Sequence, residues 1–592
     1  MPYTIETIRH STAHLLAAAV QELWPQAKLG VGPVIEHGFY YDFDLPTRLT
    51  EKNFQKIEKQ MRAIIARKTA FTREEMPIDA AIVFFEKKNQ PYKMELLRDL
   101  KTKGTTAVRP EETQEFNAEK PTQTSVYHTG KFVDLCRGPH VADTSALGVF
   151  KLMRVAGAYW RGNEKNPQLQ RVYGIAFATQ KELDDHCAML VEAEKRDHRK
   201  LGQELELFTF DDMVGKGLPL WLPNGTLLKD CVEDLAKREE AKDGYLRVST
   251  PHLAKEALFK TSGHLPYYKD SMYPGMVMDD GTYYLKAMNC PHHHIIYKAK
   301  PRSYRDLPLR LAEYGTVYRN GLSGTLAGLL RVRMLSMNDA HIYCRQDQIE
   351  AEFTKVIRLM LRYFTLFDLH DYWFRLSKWD ATHTDKYINE PENWEYAEGV
   401  LRSVLKKLKV KFVEAENEAA FYGPKVDVMF RSVIGREETM STVQLDFAAK
   451  KRFDLTFTNE KGEKDNGVFV IHRAPLSTHE RFIAFLIEHY AGAFPVWLAP
   501  VQVAIIPVSD DHMPSAGKLS EKLREEGIRV SVDGARDTVG YKIRKAEKQK
   551  VPYMIVIGDK EKSLRKLAVR VRGEKEIKTM TVSAFLKRLK KE

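Results

Sequence analysis

Apolar and polar positions alternate in three distinguishable ways along the chain. Residues 8–24, IRHSTAHLLAAAVQELW, repeat apolar side chains at helical spacing and predict a helix. VIEHGFYYDFDL, 34–45, predicts paired strands around a His-Gly turn. KELDDHCAMLVEAEKRDHRKLGQELEL, 181–207, keeps the helical period but is dominated by charge, which predicts a rigid helical connector. A turn at LPNGTLL and a helix to about residue 242 follow, then an extended run, YLRVSTPHL, closed by Pro251. The segments TYYLKAM, LRLAEYGTVYR, LLRVRMLSMNDAHIYC, VDVMFRSV, STVQLDFAA and GVFVIHRAP then succeed one another as strands, the pattern of an antiparallel sheet. After FPVWLAP, the order VQVAIIPV, KLSEKLREEG, IRVSVD, GYKIRKAEKQK, VPYMIVIGD reads β-α-β-α-β, a small α/β unit with a parallel component.

The 592 residues exceed what one core holds, so several domains are expected. Hydrophobic content of 43% and charge of 29% are those of an ordinary globular protein. The net charge of +12, from 92 basic and 80 acidic residues, is a moderate bias toward a polyanionic partner. The five cysteines, Cys136, Cys187, Cys231, Cys290 and Cys344, are odd in number and widely spaced, which excludes a secretory disulfide framework and points to a reducing compartment. The N-terminus lacks a signal-peptide layout, and no stretch reaches the length of a membrane span, so a cytoplasmic protein is expected. No G-x-x-x-x-G-K-[ST] occurs, which argues against a P-loop enzyme.

MNCPHHH, 288–294, puts Cys290 just ahead of three histidines with no second cysteine nearby, so a structural zinc finger is excluded. Read as strand residues, His292, His293 and His294 point to alternate faces and cannot share one ion. Cys290 with the distant His341 (NDAHIYC) and His472 (VIHRAP) would instead form an open three-ligand site. From spacing alone, a free cysteine with unrelated histidines is the simpler account. HSTAH sets His10 and His14 on one helix face, and DLCRGPH sets Cys136 and His140 four apart around a Gly-Pro turn. Two such pairs fit a four-ligand metal site or a hydrolytic pocket; satisfied histidines are the plainer alternative. Arg319, Arg331, Arg333 and Arg481, all read on strands, are suited to bidentate phosphate binding, while a solvated strand residue is the default for each taken singly. The helix read at 540–550, with Lys542, Arg544, Lys545, Lys548 and Lys550, either follows a phosphate backbone or is a solvated face.

Taken in order, these segments resemble the threonyl-tRNA synthetases, a family of class II aminoacyl-tRNA synthetases, over nearly the whole chain. HSTAH, GFYYDFD, DLCRGPH and AGAYWRG resemble the family's editing domain. KTSGH, AMNCPHH, SYRDLPLRLAEYG, NDAHIYC, AFYGPK, TVQLDF and VIHRAP resemble its catalytic domain, and GYKIR, VPYMIVIGDKE and AVRVR its anticodon-binding domain. The resemblance implies an α+β multidomain protein. An N-terminal α+β editing domain (1–195) and a helical linker (196–206) precede a class II antiparallel-sheet catalytic core (207–496) and a C-terminal α/β anticodon-binding domain (497–592). It implies ATP-dependent attachment of L-threonine to tRNA(Thr) through threonyl-adenylate, with hydrolytic editing of seryl-tRNA(Thr). The alternatives are a tRNA-binding editing paralogue with an impaired synthetic site, or a zinc-dependent RNA-binding protein without catalysis.

By the same resemblance, Cys290, His341 and His472 hold one Zn²⁺ per subunit that takes the amino group and hydroxyl of threonine, while Mg²⁺ accompanies ATP. An apolar pocket rejects isosteric valine weakly, whereas a site demanding a hydroxyl ligand rejects it strongly; serine then needs a second, hydrolytic site. Arg319 is expected on the α-phosphate and carboxylate, Arg331 and Arg481 on the ATP phosphates, and Lys425 beside developing charge. Met288, Asp339, Tyr422 and Gln444 are expected to line the substrate pocket, with His264 handling a proton during transfer. His10, His14, Cys136 and His140 would surround the mischarged ester, with Lys93, Tyr41 and Asp134 positioning water; a metal there is left open. Lys550, Glu561 and Arg570 are expected at the anticodon. The helix before residue 242 and the Pro251 segment resemble the motif that builds a homodimer.

The chain departs from the family pattern in places. Arg319-Asn320-Gly321 lacks the usual glutamate near adenine, Ala327 replaces a histidine, and Met337 replaces a glutamine. LSTHER stands where glycine and serine are common, and Arg536 replaces an asparagine. The chain is also expected to lack the small N-terminal domain of many relatives.

Overall fold

In the helix Ile5–Leu23 the side chain of Thr4 accepts from the Thr7 amide at 3.2 Å and caps the N-terminus. A computed structural model of the chain describes residues 3–106, 121–383, 386–432, 435 and 437–591. Its contacts divide into two units, Met1–Leu190 and Val191–Glu592.

In the first unit Ile5–Leu23 buries Ala13, Leu16, Ala17 and Val20 and packs on the strands Gly38–Asp44 and Gln168–Phe177. Val34–Ile35 pairs with Gly38–Asp44 across a turn of Glu36 and His37, one residue earlier than the expected His-Gly turn, since Gly38 already pairs with Ile35. A second sheet runs Phe71–Pro77, Gln123–Thr129, Phe132–Leu135, and its last strand delivers Cys136.

The connector expected over 181–207 is not one rod. It is two helices, Gln180–Arg196 and His198–Glu204. Asp197 interrupts the pattern and caps the second, its carboxylate accepting from the Arg199 amide at 2.8 Å. LPNGTLL is likewise no turn. Pro223 opens the helix Pro223–Lys242, where its missing N–H costs nothing. Gly225 is demanded there because a Cβ would sit 1.9 Å from the Leu207 carbonyl oxygen.

The second unit is built on an eight-stranded sheet. Its order is Leu246–Arg247, Leu309–Tyr318, Met334–Cys344, Phe469–Ala474, Glu437–Asp446, Lys425–Arg431, Tyr372–Ser377, Phe412–Ala415. The interior pairs are antiparallel, as expected, and the pairs at both ends are parallel. Ala340, Ile342, Ile471, Val443, Leu445 and Val426 join one core with Phe353, Trp394, Leu401 and Phe482 from the helices Ile349–Leu366, Pro391–Lys407 and His479–His489. Strand alternation therefore turns His341, His472, Gln444 and Lys425 to the opposite face.

Three local expectations are corrected here. Residues 290–298 form a helix, Cys290–Lys298, not a strand, because Pro291 starts a turn that buries His292, His293 and His294. The arginines are not on strands: Arg319 follows the strand Leu309–Tyr318, Arg331 makes an isolated bridge with Ala327, and Arg481 lies in the first turn of His479–His489 under the Thr478 cap. The basic helix spans Val539–Lys548, so Lys550 lies beyond it at φ 55°, and Lys542 is buried with its ammonium donating to the Pro507 carbonyl at 3.2 Å.

The C-terminal sheet runs Val530–Val532, Val503–Pro507, Tyr553–Ile557, Leu567–Val571, Ile577–Met580. Its first three strands are the expected parallel component, and two antiparallel strands extend it. No described helix is long and apolar enough to cross a membrane.

Candidate active sites

The sheet register assembles the first site. Gln444 pairs with both Lys425 and His472, and His472 pairs with His341, so four side chains form one row across neighbouring strands. Directly paired residues share a face, so the row needs only this register to form. Cys290 arrives from the helix Cys290–Lys298, and its sulfur and one nitrogen each of His341 and His472 lie within 4.8 Å of one another. Tyr422 donates to Gln444 Oε1, and its ring lies 5.5 Å from that of His472. Asn289 donates to Asp339 at 3.2 Å, and Lys425 contacts Asp427 at 2.6 Å.

The proton positions around this cluster follow from its partners. Asp446 can only accept, so His472 Nε2–H donates to it at 3.0 Å and Nδ1 keeps its lone pair. Glu313 likewise accepts from His293 Nε2–H at 3.1 Å; the other His293 nitrogen, Nδ1, then accepts from His341 Nδ1–H at 2.8 Å. His341 Nε2 is left bare. Outer partners of this kind orient metal-ligating histidines. Burial, with Asp339 and Asp446 adding to it, holds the Cys290 thiol well above its ordinary range, and burial keeps His341 neutral. One thiol that only a cation would ionise and two bare imidazole nitrogens form a donor set that fits a zinc ion with room for a substrate.

Glu313 and Asp446 were not singled out in the sequence, and His293 was weighed there only as a local metal ligand. Asp446 was within reach, because it lies two residues from Gln444 and so on the same face. Glu313 and His293 required the register and the Cys290 helix. With His293→Ala, His341 loses the acceptor that fixes its tautomer. Metal affinity is expected to fall about 10–100-fold, read by competition with a chromophoric chelator.

Three guanidiniums converge nearby. Burial lowers the pKa of Arg481; Glu438 partly offsets this, and the charges of Arg319 and Arg331 add to it. Its Nε donates to the Leu330 carbonyl at 3.2 Å, while Arg319 Nε is buried without a hydrogen-bond partner. Such a cluster is suited to a polyphosphate. Arg333 serves differently, stapling the loop by donating to the Gly321 carbonyl at 3.0 and 2.9 Å. Gly321 itself answers no backbone demand, since a Cβ there would meet nothing nearer than 3.9 Å. His264 is buried, with Nδ1 2.7 Å from Ser262 and Nε2 2.9 Å from Met288 Sδ, and burial takes it down to about 4. It is a neutral acceptor at neutral pH.

The second site lies in the first unit. His10 and His14 present adjacent rings from one helix, 5.2 Å apart, and Cys136 and His140 come from the segment after Phe132–Leu135. Donor atoms of all four lie within 4.8 Å of one another. Cys136 Sγ is 3.3 Å from both His10 Nε2 and His140 Nε2. Gly138, at φ 77°, makes the bend possible: its amide donates to Cys136 Sγ, and a Cβ would strike the Tyr127 hydroxyl at 2.3 Å. Beneath lie Lys93 and Asp134, a buried ion pair at 2.5 Å, with Tyr41 donating to Asp134 at 2.6 Å. Burial pushes the Cys136 thiol up to about 12 and takes His140 down to about 2, the latter helped by His14 and His10. The pocket is thus neutral imidazoles and a protonated thiol above a fixed charge pair.

The C-terminal residues do not form a comparable cluster. Lys550 follows the helix Val539–Lys548, Glu561 accepts from the Gly558 amide at 3.2 Å, and Arg570 lies in Leu567–Val571 with Nε buried.

Comparison with known proteins matches three family descriptions: "tRNA synthetase class II core domain (G, H, P, S and T)" over residues 276–490, "Anticodon binding domain" over 502–592, and "Threonyl and Alanyl tRNA synthetase second additional domain" over 124–173. The chain is 48% identical to a threonine–tRNA ligase of Geobacillus sp. (strain WCH70), covering 100% of this chain and 89% of that protein. It is 46% identical to threonine–tRNA ligase 1 of Bacillus subtilis (strain 168), covering 99% and 88%. Among solved structures it resembles the RNA binding domain of threonyl-tRNA synthetase from Cryptosporidium parvum Iowa II. The TM-score is 0.63 at 33% identity, over 67% of this chain and 98% of that one.

Proposed function

We infer the chemistry of this chain from the family to which it belongs, the threonyl-tRNA synthetases. It attaches L-threonine to tRNA(Thr) at the expense of ATP, through threonyl-adenylate, and hydrolyses seryl-tRNA(Thr). Cys290, His341 and His472 hold Zn²⁺, which when bound supplies a Lewis-acidic anchor for the amino group and hydroxyl of threonine. Asp339, Tyr422, Gln444 and Met288 enclose that substrate. Arg319, Arg331 and Arg481 bind ATP, brought with Mg²⁺, and orient its α-phosphate toward the threonine carboxylate. Lys425, held by Asp427, faces the developing charge, and His264 accepts at the ribose hydroxyl during transfer.

The observation that carries this reading is the cross-strand row ending in two bare imidazole nitrogens beside Cys290. The test is ATP–pyrophosphate exchange with threonine, serine and valine, with and without a zinc chelator. Threonine is expected to drive exchange, serine to do so about 10–200-fold less well, and valine about 10⁴-fold less well. Exchange indifferent to prolonged chelation would overturn the zinc assignment.

In the first unit, His10, His14, Cys136 and His140 surround the seryl ester, and Lys93, Tyr41 and Asp134 hold the attacking water. Lys550, Glu561 and Arg570 read the anticodon, on family resemblance alone. The chain works in the cytoplasm as a homodimer. Supporting the latter, Leu246, Leu253, Val277 and Met278 are exposed on strands flanking the Pro251 segment, Val277 to 84%. The double substitution Val277→Glu/Met278→Glu is expected to convert a dimeric sedimentation boundary into a monomeric one; a wild-type protein that sediments as a monomer at micromolar concentration would refute the homodimer.

A further inference from the structure

The hydrolytic pocket contains a residue that none of the foregoing roles uses. Ser11, between His10 and His14 on the helix Ile5–Leu23, is completely buried. Its hydroxyl makes three contacts: the Thr7 carbonyl at 2.8 Å, the Val141 amide at 3.1 Å and His140 Nδ1 at 3.0 Å. A hydroxyl has one proton to give. A carbonyl oxygen at 2.8 Å can only accept, so the proton goes to Thr7, and Ser11 Oγ receives both the Val141 N–H and the His140 Nδ1–H. His140 Nε2 therefore carries a lone pair, and it faces Cys136 Sγ.

His10 is fixed the same way by a different partner. Its Nδ1–H donates to the Pro139 carbonyl at 3.2 Å, leaving Nε2 bare toward the same sulfur. Two acceptor nitrogens thus face a thiol that has one proton. Whichever ring takes it, the other keeps an unfilled acceptor in the pocket, and a buried acceptor is favoured when a donor fills it. The O–H donors that editing brings are the attacking water, the free hydroxyl of the terminal ribose and the side-chain hydroxyl of serine.

We propose that Ser11 is a positioning residue of the hydrolytic site: it holds the His140 proton on Nδ1 and so turns Nε2 inward as an acceptor for an O–H group of the reactants. The neutral ring orients that group by hydrogen bonding. This rests on the reading of the His10–His14–Cys136–His140 cluster as the editing site. Without Ser11 the His140 ring has no acceptor at Nδ1, and the alternative tautomer, with Nε2–H pointed at Cys136, closes the acceptor.

The experiment compares Ser11→Ala and Ser11→Thr full-length chains in deacylation of preformed seryl-tRNA(Thr), with the thermal unfolding profile of each chain as the measure of intact fold. Ser11→Ala is expected to lower kcat for deacylation about 10-fold with KM unchanged, and Ser11→Thr, which keeps the hydroxyl, to restore it. Two-bond nitrogen–proton correlation on ¹⁵N-histidine-labelled protein should show His140 protonated at Nδ1 in the wild type and at Nε2 in Ser11→Ala. Chemically prepared alanyl-tRNA(Thr) separates the donors: an equal loss identifies one that both esters share, the water or the ribose hydroxyl, and a loss confined to the seryl ester identifies the serine hydroxyl. Wild-type deacylation by Ser11→Ala, failure of threonine to rescue, or an Nε2–H tautomer in the wild type would each overturn the role. The His10→Ala/His14→Ala chain separates this from the underlying reading. If it still deacylates, the site assignment falls; if it does not while Ser11→Ala does, only the role of Ser11 falls.

Discussion

Cys290→Ala protein is expected to purify with less than about a tenth of the wild-type zinc and to lose threonine-dependent exchange by about 10³-fold or more. The loss of metal follows from the donor set. What remains is His341 and His472, two imidazoles oriented by His293 and Asp446, and two ligands retain zinc poorly. The loss of activity is the loss of the anchor that orients threonine, a contribution of several kcal/mol, and about 4 kcal/mol corresponds to 10³ in rate. Specificity should suffer in a characteristic way. A pocket that needs a hydroxyl partner separates threonine from valine by about 10⁴–10⁵, whereas a pocket relying on shape separates such isosteres by about 10². The residual exchange should therefore fall toward the weaker ratio. Metal analysis and the exchange assay check both parts, with seryl-tRNA deacylation as the control for folding elsewhere. Full zinc occupancy in the variant would remove the basis of the synthetic-site assignment.

The second large effect is expected in the other unit. His10→Ala/His14→Ala should charge tRNA(Thr) with threonine at the wild-type rate and accumulate seryl-tRNA(Thr), which the wild type does not. The magnitude comes from the methyl group that distinguishes the two amino acids, worth about 10–200-fold in a binding pocket. At equal concentrations, uncorrected synthesis should thus place serine on roughly one tRNA in 10–200. His14 is buried and His10 lies at the pocket rim with its Nε2 on Cys136, so the pair removes two of the four side chains that define the cavity while leaving Lys93–Asp134–Tyr41 paired below. Acid-gel analysis with labelled serine reads the product directly. If no seryl-tRNA appears although serine is activated, correction happens outside this cluster.

The places where sequence reading succeeded and failed divide along a physical line. The helix at Ile5–Leu23, the hairpin around His37 and the strands carrying His341 and His472 are written in nearest-neighbour periodicity, and they formed where expected. The pair His10/His14 is legible because four-residue spacing on a helix is itself a contact, whereas Cys136 and His140 meet through the bend at Gly138. The segment 290–298 is misread as a strand because the histidine run carries no clear period, while Pro291, a helix-starting residue at this position, is the local signal that it forms a helix. The arginines looked like strand residues because strand-like neighbours surround them, yet the Thr478 cap and the Gly321 loop set their conformation. Lys542 reads as part of a basic face, phosphate-following or solvated, but the helix Val539–Lys548 turns it onto the end of the interior strand Val503–Pro507.

What the amino-acid order settles alone is the local geometry and the chemistry on offer: helix faces, strand alternation, one thiol and several imidazoles in suitable settings, and a family resemblance long enough to assign a reaction. The convergence is settled elsewhere. Cys290, His341 and His472 are far apart in the chain, and no spacing rule links them. They meet because antiparallel pairing sets His341 opposite His472 and a buried helix brings Cys290 beneath that row. The proton positions are a tertiary matter too, since His293 with Glu313, Asp446 and Ser11 act through hydrogen bonds that exist only once the chain is packed, when each donor must find an acceptor away from water.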